Sequence, residues 1–367
     1  MAKNPLSQLH PLGTSVWYDN ISRELIESGG LQDLVAHYAV RGITSNPSIF
    51  EKAIGSGSAY DEQIASLRGA SLSTDALFEE IAVKDIADAA DVLKPLFEES
   101  EGEDGYVSIE VSPLLASDTE GTINEARRLY GRLERPNIMI KVPGTAEGVP
   151  AIRTLLEEGI NVNITLLFSV ENYVTVAETY VEALSARLAK KLPVDSIASV
   201  ASFFVSRVDS LVDSKLEELA SGDQEILALR GQFGVANSRL AYKEFERIFN
   251  TEAAKKLAIV GAKVQRPLWA STSTKNPEYR DVLYVEELIG PHTVNTMPEN
   301  TLKAFADHGE AEASVKRDLS AAEELPGKLQ AAGIKLAEVF EQLQAEGVRK
   351  FAESFNSLNE TLSKKAA

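Results

Sequence analysis

Cysteine is absent from the 367 residues. That removes a disulfide scaffold, a thiolate nucleophile and cysteine-ligated metals in one step. Histidine is scarce: His10, His37, His292 and His308 are scattered along the chain and do not read as a metal-ligand cluster. Basic charge is also short. Lys plus Arg is 37 against 55 for Asp plus Glu, a net charge of −18. Nucleic acid and anionic membranes are gripped by basic stripes, so neither is an expected partner. Any anionic ligand must be held by a few locally placed cations. No run of roughly 18 apolar residues occurs, so no membrane span is expected. Residues 1–11 lack the apolar stretch of a signal peptide. These absences leave a cytoplasmic enzyme as the default reading.

What is present is an ordinary globular composition, 44% hydrophobic and 25% charged. The length allows two domains by simple proportion, although α/β barrels hold 250 residues or more in one. Short segments rich in β-branched residues recur between stretches of helical periodicity. They are Ser15–Asp19, Gly42–Asn46, Tyr106–Ser112, Ile138–Val142, Asn161–Phe168, Ile197–Val205, Leu268–Thr272 and Thr293–Met297. Amphipathic stretches such as Glu171–Lys190 and Val208–Leu219 lie between them. Strands alternating with helices pair in parallel through right-handed crossovers. Eight such units predict an α/β fold, a closed (β/α)8 TIM barrel with additional helices, all one domain over residues 1–367; an open doubly wound sheet is the competitor. Residues 47–105 read as a helical insertion after the second strand, with Leu77–Leu96 helical, and a second helical excursion fits between Ser206 and Leu268. Residues 299–367 read as helices packed on the barrel. There Leu336, Val339, Phe340 and Leu343 follow an i, i+3, i+4, i+7 pattern that Val348, Phe351, Phe355, Leu358 and Leu362 resume beyond Gly347.

The residues that interrupt the strands carry the chemical information. Lys141 sits in the apolar run Ile138-Met139-Ile140-Lys141-Val142. A strand of a parallel sheet is covered on both faces, so an ammonium there is costly unless neutralised, paired or led to solvent. A desolvated lysine amine is the kind that forms Schiff bases with carbonyl substrates. The plain alternative is a lysine reaching from a strand end into a surface ion pair. The neighbouring strands tilt the balance. Ser108 and Glu110 alternate with Val107, Ile109 and Val111; Asn161, Asn163 and Thr165 alternate with Val162, Ile164 and Leu166. Asp19 and Asn46 end the first two segments, and Ser202 and Ser271 interrupt later ones. An exposed antiparallel sheet would alternate too, but strands joined by helical crossovers must cover their outer faces. A ring of Asp, Asn, Glu, Lys, Asn/Thr and Ser from successive strands instead describes a polar barrel mouth, where catalytic groups gather.

At this point a resemblance becomes specific. Thr44-Ser45-Asn46-Pro47-Ser48, Ser108-Ile109-Glu110-Val111, Ile140-Lys141-Val142-Pro143, Asn161-Val162-Asn163-Ile164-Thr165-Leu166-Leu167-Phe168-Ser169 and Ser202-Phe203-Phe204-Val205-Ser206-Arg207 resemble the transaldolase signatures in that family's order. The resemblance spans roughly Ser15 to Met297. It implies a (β/α)8 enzyme of the class I aldolase superfamily that uses no metal and no organic cofactor. Such an enzyme moves a dihydroxyacetone unit between sugar phosphates in the non-oxidative pentose phosphate pathway. The exchange it implies is sedoheptulose 7-phosphate plus glyceraldehyde 3-phosphate giving erythrose 4-phosphate plus fructose 6-phosphate. By the same resemblance Lys141 would form the Schiff base and Asp19 would be the acid/base at the C4 hydroxyl. Glu110 and Thr165 would hold a relay water. Asn46, Asn163 and Ser202 would orient the dihydroxyacetone hydroxyls, with Phe204 as a packing wall. Arg207 and Ser271 match phosphate-binding positions; the plain alternative for Arg207 is pairing with Asp209 or Asp213.

One motif departs from the pattern. After the seventh strand the familiar form is Ala-Ser-Phe-Arg-Asn, whereas this chain reads Ala270-Ser271-Thr272-Ser273-Thr274-Lys275-Asn276-Pro277. Lys275 is therefore the expected second phosphate cation, as a point charge rather than a bidentate fork. If Lys275 points to solvent, Arg207 and backbone amides carry the phosphate alone. Three rivals stand beside this reading. A fructose 6-phosphate aldolase would release free dihydroxyacetone, a metal-dependent aldolase would need clustered histidines, and a dead sugar-phosphate-binding protein could share the fold. The assembly is expected to be a monomer or homodimer. Phe340, Phe351 or Phe355 could close the barrel mouth, with ordinary helix packing as the plainer role.

Overall fold

The computed structural model describes residues 4–67, 70 and 72–366. The outer bounds of the expected single domain, 1 and 367, and positions 68, 69 and 71 within the 47–105 segment lie outside the described residues. Eight strands form a closed parallel barrel: β1 (Thr14–Tyr18), β2 (Val40–Ile43), β3 (Tyr106–Glu110), β4 (Ile138–Pro143), β5 (Val162–Leu167), β6 (Ser199–Phe204), β7 (Arg266–Ala270) and β8 (Thr293–Met297). They follow one another in sequence order around the barrel, and β8 closes on β1 with Trp17 opposite Thr296. The (β/α)8 expectation is met, and the open sheet is excluded.

Strand ends differ from expectation where a polar residue takes on another task. The second segment, expected over Gly42–Asn46, is strand only over Val40–Ile43, because Asn46 leaves the ladder to cap the helix Pro47–Gly55. Its Oδ1 accepts from the Ile49 N–H at 3.1 Å, and Pro47 occupies the first helical position. The seventh, expected to reach Thr272, stops at Ala270, where Ser271 turns to a left-handed φ of 55°. In β5 the pairing with β6 shifts between Ile164 and Leu167, with Leu166 at φ 60°. A bulge at a barrel rim re-aims side chains, and this one lies beside Thr165.

Period-two alternation sorts the barrel's two faces. Val107, Ile109, Ile138, Ile140, Val142, Val162 and Ile164 belong to the large core between strands and helices. Trp17, Tyr106, Met139, Val200, Leu268 and Val294 form a second cluster filling the barrel interior. Trp17 is wholly buried, and Gly42 makes room for it: a Cβ there would lie 2.5 Å from the indole ring. Beneath this layer Asp104, 1% exposed, accepts from Arg41 Nε at 2.6 Å, Ser15 Oγ at 2.8 Å and Arg266 at 3.1 Å. Burial alone would raise its carboxyl, but the two guanidiniums outweigh burial and hold its pKa below the ordinary value.

The last helix, Leu336–Ala366, runs unbroken through Gly347. A glycine inside a helix costs roughly 0.5–1 kcal/mol relative to alanine. Here it permits close approach, since a Cβ at 347 would meet Leu166 Cδ2 at 2.8 Å. The bulged strand and the helix thus touch at the barrel mouth. No described helix is long and apolar enough to cross a membrane.

Candidate active site

Polar side chains converge at the C-terminal ends of the strands, the face on which barrel enzymes build their sites. A cavity of about 200 Å³ there is lined by Asp19, Asn46, Lys141, Thr165, Ser202, Phe204, Arg207, Ser271 and Lys275, together with Thr44, Thr296 and Phe351. A second cavity of about 530 Å³ shares Asn46 with it and includes Glu110, but is otherwise walled largely by apolar residues such as Phe50, Phe78 and Leu129. The smaller one holds the lysine and both cations expected to meet a phosphate.

Lys141 is 5% exposed. Its Nζ donates to the Ser45 carbonyl at 3.2 Å and lies 3.4 Å from Glu110 Oε2. Strand register explains the pairing, because Glu110 and Lys141 are direct neighbours across β3 and β4. Burial raises the pKa of Glu110 despite the opposing charge of Lys141. Burial likewise raises that of Asp19, against the pull of Lys141 and a hydrogen bond from Thr44 Oγ1 at 2.6 Å. Two carboxyls of raised proton affinity therefore flank one buried amine, a combination suited to moving protons near neutral pH. Glu110 Oε2 and Thr165 Oγ1 are both buried and lack a hydrogen-bond partner among the described residues.

One side of the cavity is cationic. Arg207 opens the helix Ser206–Ala220, whose backbone dipoles also favour an anion. Neither Asp209 nor Asp213 engages it. Asp209 accepts from the Gly234 N–H and Tyr284 hydroxyl, and Asp213 from the Gly231 N–H and Tyr279 hydroxyl. The guanidinium instead lies 5.1 Å over the Phe204 ring, and burial lowers its pKa. Lys275 is solvent-exposed over much of its side chain yet still lines the cavity, and its Nζ donates to Ser273 Oγ at 2.6 Å. Partial burial and the Arg207 charge lower its pKa. Ser271 Oγ pairs with Ser206 Oγ at 2.9 Å, tying the loop after β7 to the helix that carries Arg207.

Asn46, with its oxygen committed to the helix cap, leaves its amide nitrogen for the cavity. Asn163 is placed differently from the rest. It is fully buried, donates to Ser108 Oγ at 3.0 Å and accepts from Ser202 Oγ at 2.7 Å, and does not line the cavity. Thr44 and Thr296 line the cavity but were not singled out from the strands, whereas Phe351 was named as one that could close the mouth. Thr44 and Thr296 share a 2.6 Å hydroxyl contact beneath Asp19. Thr44 lies inside the Thr-Ser-Asn-Pro motif, and the alternation of Thr293-Val294-Asn295-Thr296-Met297 carried the signal for Thr296. Of the three C-terminal phenylalanines only Phe351 lines this cavity; Phe340 stacks on Phe233 and Phe355 meets Phe78 edge-on. No three His, Asp or Glu side chains among the described residues are grouped so as to hold a metal ion.

Comparison with known proteins gives a consistent result. The family model described as Transaldolase/Fructose-6-phosphate aldolase matches residues 16–362. A transaldolase of Trichodesmium erythraeum is 48% identical over 100% of this chain and 98% of its own length. That of Mycolicibacterium smegmatis is 48% identical over 98% of this chain and 96% of its own. Transaldolase 2 of a Nostoc species is 46% identical over 99% and 97%.

Proposed function

The chain belongs to the transaldolase family, and from that premise we propose that Lys141 is the Schiff-base lysine of a dihydroxyacetone transfer between sugar phosphates. The observation that carries this is one cavity holding a buried amine 3.4 Å from a carboxylate, with two cations on its other side that pair with no carboxylate among the described residues. In the proposed reaction Lys141 Nζ attacks the ketose C2 carbonyl, and water leaves to give the protonated imine. Glu110 is the nearest base to that nitrogen, and its raised proton affinity suits it to take and return protons there. Glu110 Oε2, which has the Lys141 ammonium at 3.4 Å but makes no hydrogen bond among the described residues, and the unpartnered Thr165 Oγ1 support a relay through one water. Asp19 then removes the proton from the C4 hydroxyl. The C3–C4 bond breaks, its electron pair passes to the imine as an enamine, and an aldose departs. Attack of the enamine carbon on an acceptor aldehyde, with Asp19 returning the proton, reverses the sequence.

Arg207 and Lys275 suit the phosphate in charge and position, with Ser271 adding a hydroxyl. Asn46 and Ser202 suit the hydroxyls of the three-carbon unit, and Phe204 the wall behind it. Asn163 enters as the buried partner that orients Ser202. The proposed exchange is sedoheptulose 7-phosphate with glyceraldehyde 3-phosphate. On composition, cysteine-free and acidic, the proposed setting is the cytoplasm, with a monomer or homodimer as the working unit.

A coupled assay of erythrose 4-phosphate formation tests the reading. Lys141→Ala is expected to reduce transfer to background while the circular dichroism spectrum stays unchanged; transfer above background in that variant would reject the lysine's role.

A further inference from the structure

We propose that Phe351, on the C-terminal helix, is the residue that keeps the bound three-carbon unit from being lost to water, and so determines transfer rather than release. The inference rests on the Schiff-base reading of Lys141 and adds to it a residue outside the motifs that carry the family resemblance. Phe351 is 5% exposed, and its ring centroid lies 5.6 Å from Lys141 Nζ across the shared cavity.

The helix that carries this ring is fastened on both sides of the mouth. Gln344 Nε2 donates to the Gly144 carbonyl just after β4, at 3.3 Å. Gly347 seats against Leu166 on the bulge of β5. Ser354 Oγ lies 2.7 Å from Ser48 Oγ, and Phe355 packs edge-on to Phe78 at 5.8 Å. Asn359 Nδ2 reaches Asp75 at 2.6 Å. Phe351 sits within this span, between the Gly347 seat and the Ser354 contact. Its position is therefore fixed by packing and not by a mobile loop.

The chemistry asks for such a wall. After C3–C4 cleavage the enamine has two fates. It can add to an acceptor aldehyde, forming the new C–C bond. Alternatively its C3 carbon takes a proton, water adds to the resulting imine carbon, and the C–N bond breaks; dihydroxyacetone and the free Lys141 amine are the products, with the water oxygen becoming the ketone oxygen. Both steps of the second route need water or solvent-derived protons at the lysine, and a transferase must suppress them while one aldose leaves and another enters. An aromatic ring over the nitrogen excludes water from that side. Its negative face also favours the cationic imine.

The test measures partition rather than rate alone. Each protein is given fructose 6-phosphate, with and without erythrose 4-phosphate as acceptor, and the ratio of dihydroxyacetone released to sedoheptulose 7-phosphate formed is recorded. Borohydride trapping on the same preparations reports the Lys141 adduct. Phe351→Ala is expected to raise the release-to-transfer ratio about tenfold with the adduct still formed, and Phe351→Leu to raise it about threefold. If the alanine variant does not fold, the leucine variant decides. A wild-type ratio in the folded variants, with the adduct present, would overturn the role of Phe351. Absence of the adduct from the wild-type protein would instead overturn the Schiff-base reading on which it rests.

Discussion

Lys141, buried, and Arg207, half-buried, are cations with opposite solutions to the cost of desolvation. Lys141 has a carboxylate at 3.4 Å and a carbonyl at 3.2 Å. Arg207 has an aromatic face and forms no ion pair with an acidic side chain among the described residues. A guanidinium held so is poorly compensated until a ligand supplies negative charge. Arg207→Ala is therefore expected to raise KM for phosphorylated ketoses by about 10- to 100-fold, and Lys275→Ala by a few fold, with much smaller changes for unphosphorylated analogues. Steady-state kinetics on paired substrates checks this; equal effects on both substrates would remove these side chains from the phosphate. Alternation along single strands made Lys141, Glu110, Thr165 and Ser202 legible as one inward set. The state of Arg207 was not legible. It depends on Asp209 and Asp213 being claimed by Gly234, Tyr284, Gly231 and Tyr279, residues brought up from later in the chain.

Elements are joined at the two ends of the barrel by different means. At the mouth, apolar packing, a glycine and side-chain hydrogen bonds from Gln344, Ser354 and Asn359 seat the last helix. At the base, Asp104 links β1, β2 and β7 through Ser15, Arg41 and Arg266. Removing its charge leaves two guanidiniums short of an anion in a buried place, so Asp104→Asn is expected to cost about 3–5 kcal/mol at neutral pH. Because the folded-state pKa of Asp104 is depressed, its contribution is full above the unfolded carboxyl value of about 4 and fades as pH falls through the lower folded value. Urea titrations of the two proteins should accordingly converge below about pH 4; equal stability at pH 7 would contradict the role. Sequence reading missed this cluster, since Arg41, Asp104 and Arg266 lie far apart in the chain and carry no local pattern. The C-terminal helix was the reverse case. Its apolar stripe was plain, but the tertiary contact that makes Gly347 part of the helix was not.

For the molecule as a whole, eight parallel strands in sequence order place every C-terminal strand end on one face. That topology turns seven separate polar interruptions into one site. It was legible because each strand's outer face had to be apolar to meet a helix, which left the inner face free to be polar at the mouth. The net charge of −18 adds a constraint: anionic substrates reach a molecule that repels them at long range and is attractive only locally, around Arg207 and Lys275. The central claim is that this geometry serves covalent capture at Lys141. The most direct measurement is incubation of the intact protein with fructose 6-phosphate and borohydride, followed by peptide mass spectrometry. The account predicts a reduced three-carbon adduct on Lys141 and on no other lysine. A folded protein with no adduct, or with the adduct on another lysine, would contradict it.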